Sequence, residues 1–329
     1  MRKFKFAILG AGNIAEKMAS TVIHMPQIIP YGVGSRDLAR AKDFAHKYGF
    51  AKAFGSYEEM VEDPEIDLVY VATPHSHHFK HSMMCLKHGK HVLCEKSFTT
   101  NAAQAQKLTE YARANNLVIA EAIWTRYLPM SKLINELIDS GVIGDVKLLT
   151  ADLGYLIDHN ERIVNPALAG GALLDVGVYA LNFASMVFGD KIAKSSSICT
   201  LTDTGVDSSG NVTLCFEDGK MAVLCFSAVA QTMRQGIVYG NKGTLVVENI
   251  NNPELIRIYN LDREEIASYS APDQITGFEY QVESVINAIE NGLVECPEMP
   301  HSEIIRIMKL MDGFRKEWGV IYPPEIESL

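Results

Sequence analysis

The run Phe6-Ala7-Ile8-Leu9-Gly10-Ala11-Gly12-Asn13-Ile14-Ala15 takes an apolar β-type segment through a glycine turn and into a helical pattern. Its spacing is G-x-G-x-x-A, and each small residue has a physical task. Gly10 permits the tight turn, Gly12 lets the backbone approach a pyrophosphate, and Ala15 lets the helix pack closely on the strand. The exposed N–H groups of the first helical turn then face the phosphates. An isolated match of this kind carries little weight, but here strand, turn and helix follow in the required order. The motif makes Gly10, Gly12, Asn13 and Ile14 candidates for holding a dinucleotide.

The segments that follow alternate in the manner of parallel βαβ units. Strands are expected at Phe4–Leu9, Ile28–Gly34, Asp67–Ala72, His91–Cys94 and Leu117–Glu121. Helices are expected at 13–24, 37–48, 77–88 and 101–115, with Ser56-Tyr57-Glu58-Glu59 opening a short one as a capping box. From Ile123 the rhythm changes. A helix at Tyr127–Asp139 and a strand at Val146–Leu153 precede one apolar helix, Leu173–Phe188. Strand-like runs follow at 196–201, 211–216, 221–226, 236–239, 244–248 and 255–259, joined by short turns. Such short connections imply antiparallel pairing. Helices near 277–290 and 302–316 close an α+β domain. The expectation is an α/β protein: a Rossmann, doubly wound parallel sheet over residues 1–122, then an α+β domain over 123–329.

The end of the second strand bears on which dinucleotide fits. NAD sites normally place Asp or Glu there, whereas this chain has Gly34-Ser35-Arg36 with Arg40 one turn beyond. A hydroxyl and guanidinium groups suit a 2′-phosphate, so Ser35, Arg36 and Arg40 point to NADP. Asp37 also lies within reach of a ribose, which keeps NAD open. Two further loops end parallel strands, where such sheets bind ligands. One contains Thr73, Pro74, His75 and His78, the other Glu95 and Lys96, and all are candidates for cofactor contact. The histidines lack a carboxylate or cysteine at ligand spacing, so no metal site is expected.

A formal net charge of −10 speaks against a nucleic-acid partner. Six scattered cysteines without a C-x-x-C pair suit a reduced cytoplasmic setting. Met1-Arg2-Lys3 runs directly into a strand, so no signal peptide is expected. Leu173–Gly189 contains Asp175 and is shorter than the roughly 20 apolar residues of a membrane span. It reads as a buried helix.

Together, Gly10-Ala11-Gly12-Asn13-Ile14-Ala15, Ala72-Thr73-Pro74-His75-Ser76-His77-His78 and Glu95-Lys96 resemble the glucose–fructose oxidoreductase/inositol dehydrogenase/MocA family. Gly55–Glu59, Glu121–Tyr127 and Gly170–Tyr179 are similar to its dimeric dihydrodiol dehydrogenase branch, which includes D-xylose dehydrogenases using NADP. The resemblance covers essentially the whole chain. It implies an NADP-dependent dehydrogenase acting on a sugar, cyclic diol or related carbonyl, and a homodimer built on the second domain's open sheet. It also implies that Tyr179 is the general acid/base, with Lys96 lowering its pKa and Asp175, four residues earlier on the helix, binding the substrate hydroxyl or orienting its neighbours. Trp124, Arg126 and Tyr155 are candidate pocket walls. One departure stands out: Ser97 replaces the proline of the family's Glu-Lys-Pro, which loosens the support of Lys96. That departure leaves a second reading, a non-catalytic NADP-binding regulator of the same superfamily.

Overall fold

The structure, a computed structural model, describes residues 2–329 and divides into two compact units. The first begins with β1 (Phe4–Leu9), α1 (Asn13–Val22), β2 (Ile28–Gly34), α2 (Leu38–Tyr48), β3 (Lys52–Phe54) and α3 (Tyr57–Glu62). It continues through β4 (Leu68–Val71), α4 (His75–Lys87), β5 (His91–Glu95), α5 (Ala102–Ala114) and β6 (Ile119–Ala122). The strands form one sheet in the order β3-β2-β1-β4-β5-β6, parallel throughout. Strands covered on both faces must be apolar, and Phe6, Ile8, Leu68, Val69, Tyr70, Val92 and Leu93 are fully buried. The strand order reverses between β1 and β4, which opens a crevice at their carboxyl ends. Only the three-residue β3 escapes the alternation read from the sequence.

The second unit spans Ile123–Asp273 and Leu310–Pro323. Its elements are α6 (Pro129–Asp139), β7 (Val146–Gly154), α7 (Glu161–Val164), α8 (Val178–Phe188), β8 (Ile192–Leu201), β9 (Asp207–Phe216) and β10 (Met221–Ser227). Then come β11 (Gly236–Gly240), β12 (Gly243–Glu248), β13 (Leu255–Asn260) and β14 (Glu265–Ser270). The sheet order is β14-β13-β12-β11-β7-β10-β9-β8, antiparallel except for the β7–β10 pair. Side chains alternate across it, with Val212, Leu214, Leu224, Phe226, Leu245, Val247, Ile256 and Ile258 buried on one face. Gly236 allows close approach there, because a Cβ would stand 2.4 Å from the Phe183 ring of α8.

The apolar stretch Pro166–Phe188 has the length and hydropathy of a membrane span, yet 78% of its window is buried inside the protein. It is not the single helix expected over Leu173–Phe188. A π-helical turn at Leu173–Gly177 precedes α8. Its first N–H is taken by the Asp207 side chain at 2.5 Å rather than by a local cap.

The expected domain 123–329 also needs correction, because the chain returns to the first unit at Gln274–Lys309 and Pro324–Leu329. Those segments hold α9 (Glu279–Glu290), the start of α10 (His301–Trp318) and α11 (Pro324–Glu327). The reason lies in the exposed edge of β6, which carries backbone groups that need partners. Ile119 N–H donates to the Val294 carbonyl at 3.2 Å, and the Ile119 carbonyl meets His301 Nε2 at 2.9 Å. Gln104 Nε2 donates to the Ile326 carbonyl at 2.8 Å.

Candidate active site

The phosphate turn is fixed by its neighbours. Gly10 adopts a φ of 104° and donates its N–H to the Gly34 carbonyl at 2.9 Å, while a Cβ there would lie 3.1 Å from the Ala72 carbonyl oxygen. Gly12 is the N-cap of α1, and among the described residues no side chain caps the helix. A Cβ on Gly12 would meet nothing within 4 Å. An uncapped helix start beneath open space suits an anionic pyrophosphate. Asn13 is exposed beside it, Ile14 is half-buried and Ala15 is buried against the sheet.

At the end of β2, Asp37 is committed to the fold. Its carboxylate accepts from the N–H groups of Ala39 at 2.9 Å and Arg40 at 3.4 Å, capping α2. Ser35 is buried and its hydroxyl accepts from Asp37 N–H at 3.2 Å. Arg36 and Arg40 remain exposed. The Arg36 charge reaches the next loop. It lowers the pKa of His77, where burial is the larger cause, and it also opposes protonation of His81, which burial pushes down to about 3.

In the loops after β4 and β5, Thr73 and Pro74 are half-buried and His75 is buried. His78 is fully buried between the two loops, with Nε2 2.7 Å from the Thr73 carbonyl and Nδ1 2.7 Å from the Ser97 carbonyl. Burial pushes its imidazole down to about 4, against the pull of those two carbonyls. Glu95 is buried as well, accepting from the Tyr70 hydroxyl and from Lys96 N–H at 3.2 Å. Both residues were expected to touch nucleotide; as placed, they brace the loops from within. Glu121 joins them, accepting from Phe98 N–H at 3.0 Å. Lys96 itself is half-exposed, and the Lys96–Ser97 peptide is cis. Two neighbouring histidines bond locally, His81 Nδ1 lying 3.0 Å from Thr73 Oγ1 and His77 Nδ1 2.8 Å from Ser76 Oγ.

In the second unit, Asp175 lies in the π-helical turn and Tyr179 in the first turn of α8, 3% and 8% exposed. Asp175 accepts from Arg162 Nη1 at 2.6 Å and Nη2 at 3.4 Å. Asp207, pushed up to about 6 by burial, pins the start of that turn through Leu173. Two of the candidate pocket walls, Arg126 and Tyr155, each bond an asparagine. Arg126 Nε donates to Asn182 Oδ1 at 2.6 Å, and Asn182 Nδ2 donates to the Val178 carbonyl at 2.8 Å. The Tyr155 hydroxyl donates to Asn251 Oδ1 at 3.1 Å, and Asn251 also accepts through its carbonyl from Thr125, the neighbour of half-exposed Trp124. Arg162, Asn182, Asp207 and Asn251 were missed in the sequence. No periodicity or spacing links them to their partners.

A parallel sheet carrying this glycine turn, followed by an antiparallel sheet domain, defines an oxidoreductase of the nicotinamide-dinucleotide type. The chain belongs to the GFO/IDH/MocA oxidoreductase family: residues 4–122 match its NAD-binding Rossmann domain and residues 132–246 a GFO/IDH/MocA C-terminal domain. It lies in the dihydrodiol dehydrogenase-like branch. Over 329 residues it is 35% identical to the trans-1,2-dihydrobenzene-1,2-diol dehydrogenase of Xenopus tropicalis, covering 97% of this chain and 99% of that one. The Homo sapiens enzyme of the same name is 33% identical over 331 residues, with 98% of each chain covered. A 3-ketoreductase from Actinomadura kijaniata, solved with NADP and TDP-benzene, superposes with a TM-score of 0.88 at 25% identity, covering 96% of this chain and 98% of that one. The protein is therefore a dehydrogenase or reductase with a nicotinamide dinucleotide cofactor, which sets the regulator reading aside.

Gly12 separates cofactor binding from stability. Gly12→Val places its side chain in open space, so the melting temperature should stay near wild type. Nucleotide affinity should fall at least about tenfold, the equivalent of roughly 1.4 kcal/mol. Fluorescence titration with the reduced nucleotide checks this, and unchanged affinity would move the pyrophosphate off the turn.

Proposed function

We propose that the chain transfers a hydride between NADP and the carbinol carbon of a sugar or cyclic diol, or the matching carbonyl in reverse. The observation that carries this reading is an ion-paired aspartate in a buried π-helical turn and a tyrosine in the helix that follows it, in a chain whose full-length relatives are named diol dehydrogenases. Bound at the glycine turn, a nicotinamide dinucleotide supplies the hydride acceptor. In the oxidative direction the substrate O–H bond breaks and its proton passes to the Tyr179 phenolate oxygen. The C–H electron pair leaves as hydride while the C=O bond forms. Lys96 supplies the positive charge that favours the phenolate, and Asp175 holds a substrate hydroxyl. Trp124, Arg126 and Tyr155 shape the substrate pocket. Tyr179→Phe should lower turnover of trans-1,2-dihydrobenzene-1,2-diol or D-xylose by about 10²–10⁴-fold with cofactor binding intact. A fully active variant would move proton transfer to another group.

NADP rather than NAD is supported by the capping role of Asp37 and by the exposure of Arg36 and Arg40. The NADP of the Actinomadura kijaniata 3-ketoreductase points the same way. Losing the Arg36 contact should cost about 1.5–3 kcal/mol, roughly one to two decades in NADP affinity. Parallel NAD and NADP titrations of wild type and Arg36→Ala test it; a variant that keeps the wild-type preference would refute the assignment.

A homodimer through the second unit's sheet is the third part of the reading. Its support is apolar surface left on that sheet, with Ile198 70%, Ile266 53% and Met221 39% exposed. Light scattering at micromolar concentration should give twice the 36.4 kDa chain mass. A monomer mass would end this part.

A further inference from the structure

Asp175 is a buried charge of the second unit's candidate site: a carboxylate whose side chain is 4% exposed, in the apolar π-helical turn before α8. A buried carboxylate needs a counter-charge and a full set of donors. Arg162 supplies the counter-charge and two donors from α7, a helix of four residues outside the sheet, with its own side chain 45% exposed. The fork geometry, Nη1 to Oδ1 and Nη2 to Oδ2, fixes the plane of the carboxylate as well as its position. The turn is meanwhile held at its start by Asp207 through Leu173 N–H. Backbone and side chain of Asp175 are thus restrained from two directions.

We propose that Arg162 is a positioning residue for the reaction: it orients the Asp175 carboxylate toward a substrate hydroxyl and balances its charge. The inference rests on the substrate role given to Asp175 above. Because Asp175 binds substrate and does not move the proton, losing its orientation raises KM more than it lowers kcat. A purely structural fault does the reverse, removing active enzyme and lowering apparent kcat at unchanged KM.

The experiment is steady-state kinetics with trans-1,2-dihydrobenzene-1,2-diol and D-xylose on wild type, Arg162→Ala, Arg162→Lys, Asp175→Asn and the Arg162→Ala/Asp175→Asn double variant. The double variant removes the stranded buried charge, so a folding failure of Arg162→Ala does not end the test. Arg162→Ala should lose about 10²-fold in kcat/KM, mainly through KM, the scale of a misplaced positioning group. Arg162→Lys should recover part of that loss, and cofactor affinity should stay unchanged. The double variant should be no worse than Asp175→Asn, since neighbours acting through one group are not additive. Wild-type kinetics in Arg162→Ala, a loss confined to kcat, or additive losses in the double variant would each overturn the positioning role. A wild type that oxidises neither substrate would instead overturn the functional reading beneath it.

Discussion

Gly10 lies at the point where three strands meet, and the first unit is organised by that contact. Its N–H reaches the end of β2 and its Cα the end of β4, so the turn exists only if both strands flank β1 in parallel register. A side chain at Gly10 would press on the Ala72 carbonyl oxygen. The same packing leaves the start of α1 without a side-chain cap, and a Cβ on its N-cap Gly12 would meet nothing within 4 Å. An unsatisfied helix start is costly unless water or an anion takes it, so the architecture of the sheet and the anion-seeking start of α1 follow from one geometric condition.

The loops after β4 and β5 are held by buried polar groups. His78 bridges two backbone carbonyls, while Glu95 and Glu121 accept from Tyr70 and from backbone N–H groups around Lys96. Burying such groups is tolerable only when they are bonded, which makes the network all-or-none. Lys96 thereby stands at the surface of a braced loop even though Ser97 occupies the place of the family's proline.

The second unit uses the same device on a helix. Asp207, Arg162 and Asn182 reach the segment 173–182 from β9, α7 and within α8, and each satisfies or positions a polar group in an apolar stretch. Asn251 does likewise for Tyr155 and Thr125. Polar bonding gives these apolar surroundings a defined arrangement at positions where hydrophobic packing alone would leave several.

The sequence by itself determined the glycine turn, the alternation that makes a parallel sheet, the later run of short strands and the family. These signals are local: φ freedom at Gly10, apolar periodicity and short connections are written in consecutive residues. It also indicated Lys96, Asp175 and Tyr179, through motifs a few residues long. The tertiary structure alone decided that His78 and Glu95 turn inward and that Arg162 pairs with Asp175. It likewise decided the return of the C-terminal segments to β6, because Ile119 needs partners that Val294 and His301 supply from about 180 residues away at the farther end. Hydrogen-bond satisfaction joins residues distant in the chain, and no periodicity records which buried donor will meet which acceptor.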